Sequence, residues 1–376
     1  MPRLGMMRRT DHTGLAERPD TAHKGRGAIS NRSGRFETEQ RVRTYDDWRD
    51  EEPGPRPQTT VTLDSSRTVI ARNNSPDIGF DRSINPYRGC EHGCVYCFAR
   101  PTHAWLGLSP GLDFETRLFA KPDAAALLRK ELAAPRYTVA PIALGTNTDP
   151  YQPVERTMRV TRSILETLAE CSHPVTIVTK SDLVLRDRDI LEKMAERSLC
   201  SVAISVTTLD RDLCRRMEPR APAPHRRLEA VSGLADSGIP VHVLVAPVIP
   251  SINDHEIEII LKRAAEAGAH GAGYVLIRLT GEVAGLFDEW LRQHYPDRAD
   301  RVLSAIRQTR RGALYRSNWG ERQTGTGALA ELIARRFTLA RRRLGLERET
   351  RGRDLDTTLF RRPGRDGEQL CLRLEN

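Results

Sequence analysis

Residues 90–97 read CEHGCVYC, so three cysteines are separated first by three residues and then by two. The chain has seven cysteines among 376 residues, and chance would produce three at a fixed spacing roughly 0.002 times per chain. Gly93 lies inside this loop and can adopt the positive φ angle that wrapping around a metal requires. The spacing therefore predicts that Cys90, Cys94 and Cys97 converge on one metal centre.

Two kinds of metal centre fit this pattern. A zinc site would be closed by the three thiolates and a histidine, either His92 or His103. A four-iron four-sulfur cluster usually takes four cysteines, so three cysteines leave one iron open. An open coordination position is typical of a reactive centre rather than a structural one. The other cysteines, which we expect to be ordinary buried or spare thiols, are Cys171, Cys200, Cys214 and Cys371.

From about residue 75, short apolar runs alternate with amphipathic helical patterns. The predicted strands lie at about residues 79–83, 141–146, 175–180, 201–206, 241–246 and 273–279. The helices predicted between them lie at about residues 157–171, 182–196, 224–237 and 254–267. This alternation predicts an α/β fold with a parallel sheet. About six such units are too few for an eight-fold barrel, so we expect a partial (β/α)6 barrel of the TIM type. Its functional groups should lie at the carboxyl ends of the strands.

The two ends of the chain differ from this core, which we place at residues 75–285. Residues 1–60 are polar with little periodicity and are predicted to form a flexible N-terminal extension. Residues 286–376 are predicted to be an arginine-rich helical segment that ends in a short hairpin over residues 356–374. The sequence has no run of 18 apolar residues and no apolar stretch behind its N-terminus, so we expect a soluble cytoplasmic protein.

The net charge of +9 comes entirely from the C-terminal fifth of the chain. Residues 301–376 contain 18 arginines, no lysine and 9 acidic residues. An arginine-rich surface fits nucleic acid, because the guanidinium group pairs with phosphate oxygens. Arg335, Arg336 and residues 341–343 would form a ridge on one predicted helix. The alternative is a helix docked on the core, with these arginines paired to acidic neighbours.

The cysteine motif resembles a known signature. The three-then-two spacing, with Tyr96 directly before the last cysteine, is similar to the motif of the radical S-adenosylmethionine (radical SAM) enzymes. The longer run from SINPYRGC, residues 83–90, to CFAR, residues 97–100, resembles the spore photoproduct lyase-like branch, whose lyases repair a thymine dimer. The resemblance covers about residues 77–279 and favours the iron–sulfur alternative.

The resemblance implies two cofactors, a [4Fe–4S] cluster and S-adenosylmethionine. Cys90, Cys94 and Cys97 would bind three irons, and S-adenosylmethionine would chelate the fourth through its amino and carboxylate groups. Cleavage of a carbon–sulfur bond would then release a 5′-deoxyadenosyl radical that abstracts a hydrogen atom from substrate. An external electron donor of the flavodoxin or ferredoxin type is also implied, and Tyr96 is expected beside the cofactor.

Polar residues at the predicted strand ends supply further cofactor candidates. Thr146 and Asn147 offer oxygen acceptors for the methionine ammonium, although a turn that starts the next loop would explain them equally well. Lys180 would pair with the methionine carboxylate, as in related lyases, unless it is a solvated surface lysine. Ser205 and Thr207 alternate along one strand and so point to the same side, where they would bind the ribose hydroxyls.

Four further residues near the predicted mouth are less specific. The backbone of Ala246 would contact adenine, or the segment is an ordinary proline turn. Glu218 and Arg220 offer a further charge pair near the mouth, or else a salt bridge at a helix end. Arg278 at the last strand end is a candidate for a substrate phosphate.

The sequence departs from photoproduct lyases at one point. Those enzymes use a cysteine near the end of the second strand as hydrogen donor, and residues 142–149 contain none. We therefore assign no catalytic residue. Three functions remain open: radical chemistry on nucleic acid or a nucleotide-like substrate, radical modification of a protein or small metabolite, and a zinc or iron–sulfur nucleic-acid-binding module without turnover.

Overall fold

The computed structural model describes residues 22–37, 57–347 and 354–364. Within these ranges the strands are β1 (Thr60–Leu63), β2 (Ile70–Arg72), β3 (Arg82–Ile84), β4 (Tyr87–Arg88), β5 (Arg117–Ala120), β6 (Ile142–Leu144), β7 (Val175–Thr179), β8 (Cys200–Ser205), β9 (Val241–Val248) and β10 (Gly271–Leu276).

The α-helices in the same ranges are α1 (Leu112–Thr116), α2 (Ala124–Leu132), α3 (Glu155–Met158), α4 (Val160–Glu170), α5 (Arg188–Ala195), α6 (Arg211–Met217), α7 (Pro224–Asp236), α8 (Ile257–Glu266), α9 (Val283–His294), α10 (Ala299–Gln308) and α11 (Ala328–Arg343). Shorter 3₁₀ helices cover Arg100–Leu106, Asp182–Asp187, Asp254–Glu256 and Pro296–Arg298.

The main sheet has seven strands in the order β10-β9-β8-β7-β6-β3-β2. Six of them, β3 and β6 to β10, run parallel in sequence order. The predicted partial (β/α)6 barrel is therefore confirmed. Strand β2 adds an antiparallel edge next to β3, which the sequence analysis did not predict. A separate three-stranded sheet, β1-β5-β4, was also not predicted.

Apolar strands and one-sided helices build the core between sheet and helices. All six residues of β8 are buried, as expected for a strand covered on both faces. Helix α4 buries Ile164, Leu165 and Leu168 on one face. The predicted helix at residues 182–196 is divided into a 3₁₀ turn and α5, and the Ser181 hydroxyl accepts the N–H of Leu183 at 3.2 Å at its start.

A second apolar cluster lies between the cysteine loop and the helices after the barrel. Phe287 and Trp290 of α9 stack at 5.7 Å and are fully buried, together with Val302 and Ile306 of α10. Val95 of the cysteine loop belongs to the same cluster. Helices α9 and α10 therefore support the loop directly.

Part of the N-terminal extension is packed rather than flexible, which corrects the prediction for residues 22–37. Ala28 and Ser30 are fully buried. The backbone N–H groups of Gly27 and Ala28 donate to the Glu115 carboxylate at 2.9 and 2.8 Å. A polar, glycine-containing segment can lie this close to the core because the protein satisfies its backbone donors. The remaining residues of the extension up to 56 lie outside the described ranges.

The C-terminal segment docks on the outside of the barrel. Helix α11 buries Ala330, Ile333, Phe337 and Ala340 against α8 and β10. Residues 356–364, the described part of the predicted hairpin, contain turns and no strand, which corrects that prediction for this stretch. Residues 365–376, with the rest of the hairpin and Cys371, are outside the described ranges. Of the described helices, none is long and apolar enough to span a membrane.

Candidate iron–sulfur and cofactor site

The cysteine loop follows β4 and lies at the carboxyl ends of the parallel strands. Cys90 and Cys94 are buried, and Cys97 is half-buried. The Cys90 N–H donates to the carbonyl of Phe114 at 2.9 Å, and the Cys97 N–H donates to the carbonyl of Cys94 at 3.2 Å. The Val95 N–H donates to the carbonyl of Met217 at 3.0 Å, so the loop is fixed to the end of α6.

Two glycines give the loop its shape. Gly89 and Gly93 have φ angles of +75° and +66°, the left-handed region expected from the sequence. A Cβ atom on Gly93 would also lie 2.7 Å from Glu115 Oε2. A side chain at this position would therefore both strain the backbone and displace the carboxylate beneath the loop.

A buried ion pair supports the loop from below. The Arg100 guanidinium and the Glu115 carboxylate are both fully buried and hydrogen-bonded. Arg100 also donates to the carbonyls of Cys94 at 2.9 Å and Gly93 at 3.1 Å. Glu115 therefore connects the cysteine loop, through Arg100, with the N-terminal segment. The sequence analysis did not identify this pair.

Asp149 ties the loop to two strand ends. Its carboxylate lies 3.3 Å from Nδ1 of His92 and accepts the Thr179 hydroxyl at 2.6 Å and the Lys180 N–H at 2.8 Å. Burial would raise the pKa of Asp149, yet the His92 imidazolium and these hydrogen bonds lower it. Burial would likewise lower the pKa of His92, but the Asp149 carboxylate raises it. The predicted zinc site with His92 or His103 finds no support, because no described histidine is arranged with the cysteines to hold a single metal ion.

Several of the predicted cofactor residues contact the side chain of Glu218. Glu218 is fully buried and forms an ion pair with the equally buried Arg227. Lys180 Nζ lies 3.9 Å from Glu218 Oε1 and 5.9 Å from the ring centroid of Tyr96. The Tyr96 hydroxyl donates to the same carboxylate. Burial alone would raise the pKa of Glu218. The positive charges of Arg227 and Lys180 have the larger effect, so the pKa of Glu218 is lowered.

Thr207 connects this group to the fifth barrel strand. Its hydroxyl oxygen lies 2.7 Å from Glu218 Oε1 and 3.0 Å from the carbonyl oxygen of Ala246. The fold thus brings together Tyr96, Lys180, Thr207 and Ala246, which the sequence places up to 150 residues apart. Lys180 is not a solvated surface lysine, since its side chain is 18% exposed.

The other predicted positions lie at strand ends outside this group. Ser205 is buried at the end of β8, and its carbonyl accepts Arg227 at 3.2 Å. Thr146 and Asn147 are half-buried after β6, where the Asn147 N–H donates to Asn85 Oδ1 at 3.0 Å. The predicted Glu218–Arg220 charge pair is wrong, because Arg220 pairs with Glu91 at 2.9 Å. The sequence could not identify Arg227 as the partner of Glu218. The two residues do not lie at a fixed spacing on one helix, because a turn separates α6 from α7.

The donor set suits an iron–sulfur cluster. The three thiols lie within one loop, and burial, the Glu218 carboxylate and the neighbouring Cys97 and Cys90 raise the pKa of the Cys94 thiol. No three histidine, cysteine or acidic side chains within the described residues are arranged to hold a single metal ion. A [4Fe–4S] cluster instead takes its thiolates on separate irons. Cys171, Cys200 and Cys214 are buried free thiols, as expected.

Comparison with known proteins agrees with this chemistry. The family model described as the radical SAM superfamily matches residues 84–264. An uncharacterised protein of Mycobacterium tuberculosis is 38% identical over 237 residues, which cover 62% of this chain and 70% of that protein. The chain belongs to the radical SAM superfamily. A second uncharacterised relative, from Methanocaldococcus jannaschii, is 28% identical over 214 residues, covering 57% of this chain and 76% of that protein.

Solved structures show the same fold. A spore photoproduct lyase variant superposes with a TM-score of 0.51 at 17% identity, over 76% of this chain and 78% of that chain. As a radical SAM enzyme, the protein uses a [4Fe–4S] cluster and S-adenosylmethionine and depends on a source of electrons. The iron–sulfur alternative from the sequence is thus confirmed, and a zinc-binding module without turnover is wrong.

Proposed function

We propose that Cys90, Cys94 and Cys97 hold the cluster and that the protein acts on a nucleic-acid or nucleotide-like substrate. The two cofactors supply reductive cleavage of a carbon–sulfur bond, which yields a 5′-deoxyadenosyl radical. The protein binds and orients them at the carboxyl ends of the strands and excludes water from the reacting centre. The observation that carries the proposal is the position of Lys180 beside the cysteine loop.

The charge balance around Lys180 supports its role as the carboxylate partner of S-adenosylmethionine. The Glu218 carboxylate is already neutralised by Arg227, its fully buried partner. Lys180 therefore contributes an excess positive charge next to Cys94. Its distance of 3.9 Å to Glu218 leaves its N–H groups available for a closer acceptor. An anionic ligand group near Lys180 would restore neutrality in a buried site, where unpaired charge is costly.

Thr207, Ala246 and Tyr96 would complete the cofactor pocket. Thr207 and Ser205 would contact the ribose hydroxyls, and the backbone of Ala246 would contact adenine. Thr146 and Asn147, at the neighbouring strand end, would accept the methionine ammonium. A flavodoxin- or ferredoxin-type protein would supply the electrons.

Two observations support the proposed substrate class. The excess of arginine in the C-terminal fifth favours a phosphate-bearing partner. A structurally similar spore photoproduct lyase variant was solved with bound AdoMet and dinucleoside spore photoproduct. Residues 142–149 lack the cysteine hydrogen donor of the lyases. The final hydrogen-atom transfer to the substrate would therefore differ from that in dimer repair.

Cysteine replacement tests the ligand assignment. Cys94→Ala, purified without oxygen, should retain almost no iron, because two thiolates do not anchor the cluster. Reductive cleavage of S-adenosylmethionine, followed by chromatography of 5′-deoxyadenosine, should disappear with it. The matched control is Cys200→Ala, which removes a buried thiol that donates to the Leu191 carbonyl, away from the cysteine loop. Iron loss in the control with iron retained in Cys94→Ala would contradict the assignment.

A further inference from the structure

Arg278 lies two residues beyond β10, at the carboxyl end of the last barrel strand, and is half-buried. Among the described residues it has no acidic partner, and its Nε is buried without a hydrogen bond. Its guanidinium carbon lies 4.8 Å from the ring centroid of Phe98 and 6.0 Å from that of Tyr315. A half-buried guanidinium that lies between two aromatic rings and has no ion pair among the described residues suits an anionic ligand that carries a flat ring.

A second positive charge lies next to it. Arg310 is buried and donates to the backbone carbonyls of Ile277 at 3.0 Å and Glu321 at 2.7 Å. These acceptors are carbonyls rather than carboxylates, and among the described residues Arg310 forms no ion pair. Arg310 and Arg278 together make this end of β10 electropositive.

The aromatic side of the site adjoins the cysteine loop. Phe98 follows Cys97 directly in the chain, and its side chain is 41% exposed. The Thr280 hydroxyl donates to the Phe98 carbonyl at 3.3 Å, which holds the loop against the end of β10. A ligand on Arg278 would therefore lie beside the proposed cluster ligand Cys97.

Tyr315 belongs to a loop that connects the two edges of the open barrel. Residues 309–327 form this loop. The N–H of Leu276 at the end of β10 donates to the Gln323 carbonyl at 2.8 Å. The N–H of Gly320 donates to Asp77 Oδ1, in the turn between β2 and β3, at 2.7 Å. The loop also presents Trp319, which is 56% exposed with the Arg322 guanidinium 4.3 Å above its ring.

We propose that Phe98, Arg278 and Tyr315, here called the mouth surface, bind an unpaired segment of a polynucleotide. Arg278 binds a backbone phosphate, and the rings of Phe98 and Tyr315 stack on bases that are not stacked in a duplex. The inference rests on the proposed nucleic-acid function and specifies its substrate as single-stranded or locally opened strands. It also moves the contact away from the arginines that the sequence analysis favoured.

Those arginines lie at the opposite end of the sheet. The carbonyl of Leu346 accepts the N–H of Ala272, at the start of β10, at 3.1 Å, and the N–H of Leu346 donates to the Arg341 carbonyl. Residues 341–343 are therefore beside the amino end of β10, one strand length from the mouth surface. Arg336 of the same helix is paired with Glu258 at 2.7 Å, which favours a docked helix over a free ridge.

Oligonucleotide binding tests the mouth surface. The reconstituted holoenzyme, without oxygen, is titrated against labelled single-stranded and duplex DNA and RNA of about 12 nucleotides, a length within typical site sizes, at about 50 mM salt. Arg278→Gln should weaken single-strand binding about tenfold or more and reduce the salt slope by about one. Tyr315→Leu should weaken single-strand binding without changing the salt slope. Duplex of the same sequence should bind more weakly to the wild type.

Two control variants separate the site from general charge. Arg263→Gln removes an exposed arginine of α8 that pairs with Glu266, and the triple change of Arg341, Arg342 and Arg343 to Ser removes the far-end group. Both should keep the affinity and slope close to those of the wild type, apart from a small long-range charge effect. A melting curve for each variant confirms that Arg278→Gln and Tyr315→Leu are folded.

The outcomes separate the inference from the proposed function. Wild-type binding that Arg278→Gln and Tyr315→Leu leave intact, or that the triple variant abolishes, overturns the mouth surface while the nucleic-acid function stands. Preferential binding of duplex also overturns it. A wild type that cleaves S-adenosylmethionine but binds no oligonucleotide rejects the nucleic-acid substrate itself, and the inference with it.

Discussion

Lys180 and Glu218 illustrate how single buried charges set the properties of this site. Glu218 accepts hydrogen bonds or ion pairs from Tyr96, Arg227 and Lys180, all of them buried or nearly so. Burial of one carboxylate with two cations leaves one positive charge in excess. That excess gives the pocket affinity for an anionic group and makes each partner sensitive to replacement.

Lys180→Ala should weaken S-adenosylmethionine binding while iron content is unchanged. A charge-assisted hydrogen bond contributes about 1.5–3 kcal/mol, which corresponds to roughly ten- to hundredfold in affinity. Calorimetry on the reconstituted protein measures the change. Lys193→Ala, on the exposed face of α5, is the matched control and should bind like the wild type. If both variants bind S-adenosylmethionine with the same affinity, Lys180 does not contact the cofactor.

Glu218→Gln should destabilise the fold. The substitution leaves Arg227 buried without its counter-charge, and removing one partner of a buried pair costs about 3–5 kcal/mol. The free energy of unfolding in urea gives the measurement. Glu229→Gln removes an exposed carboxylate that pairs with Arg226 and should change stability by less than about 1 kcal/mol. Similar small losses in both variants would argue against a structural role for the Glu218–Arg227 pair.

At the level of elements, the N-terminal segment 22–37 acts as part of the cysteine-loop support. A Cβ atom on Gly27 would lie 1.8 Å from the Gly93 carbonyl oxygen, so backbone meets backbone at this contact. Arg32 and Arg35 further along the segment pair with Glu289 and Glu282 of the α9 region at 3.0 and 2.9 Å. The segment is thus fixed at the loop and again at α9.

Gly27→Ala should displace this segment from the cysteine loop. Overpacking at a backbone contact costs about 1–3 kcal/mol of unfolding free energy, and iron retention should fall because the loop loses its cover. Gly285→Ala is the control, since its Cβ would meet nothing within 4 Å and it lies in α9. Alanine there should be neutral or stabilising by up to about 1 kcal/mol. Iron content and the free energy of unfolding are measured on the same preparations. If Gly27→Ala changes neither, the segment does not support the cysteine loop in this way.

Across the whole molecule, the segment 354–364 covers the amino-terminal side of the barrel near His173. The ring of His173 is buried, with Phe360 at 5.3 Å and the Tyr137 hydroxyl 2.7 Å from Nε2. Nδ1 lies 3.0 Å from the carbonyl oxygen of Pro174. Because a carbonyl only accepts, Nδ1 carries a hydrogen, and in the neutral ring Nε2 accepts from the Tyr137 hydroxyl. Burial, with a smaller effect of Arg82, lowers the pKa of His173 to about 4.

This neutral histidine predicts a loss of stability in mild acid. Below about pH 6.5 the unfolded chain binds a proton that the native state does not accept until about pH 4. The free energy of unfolding should therefore fall as the pH falls through this window, by roughly 3 kcal/mol from His173 alone. His173→Gln should be less stable at neutral pH but should lose this part of the pH dependence. His255→Gln, at an exposed histidine, should keep the wild-type slope, and identical slopes in all three proteins would contradict the prediction.

The amino-acid sequence by itself determined the barrel and the metal motif. The six parallel strands follow from local apolar runs, because a strand such as β8 is buried on both faces and its residues are apolar or small. The cysteine spacing is likewise local, since the three ligands lie within one loop. Lys180 and Thr207 were identifiable because strand ends converge at one edge of a parallel barrel.

Only the tertiary structure decided which charges meet. The Glu115 carboxylate accepts a hydrogen bond from the N–H of Gly27, 88 residues away in the chain. Asp149 forms an ion pair with His92 at the end of the barrel. Nothing in the composition of residues 22–37 distinguishes a packed segment from a loose one, because its polar backbone is stabilised by partners far along the chain. For the same reason the sequence favoured the C-terminal arginines by their number, whereas the fold places Arg278 beside Phe98 with no counter-charge in the part of the chain that the structure describes. Hydrophobic periodicity is a property of neighbouring residues, but charge pairing depends on distances that exist only after the chain has folded.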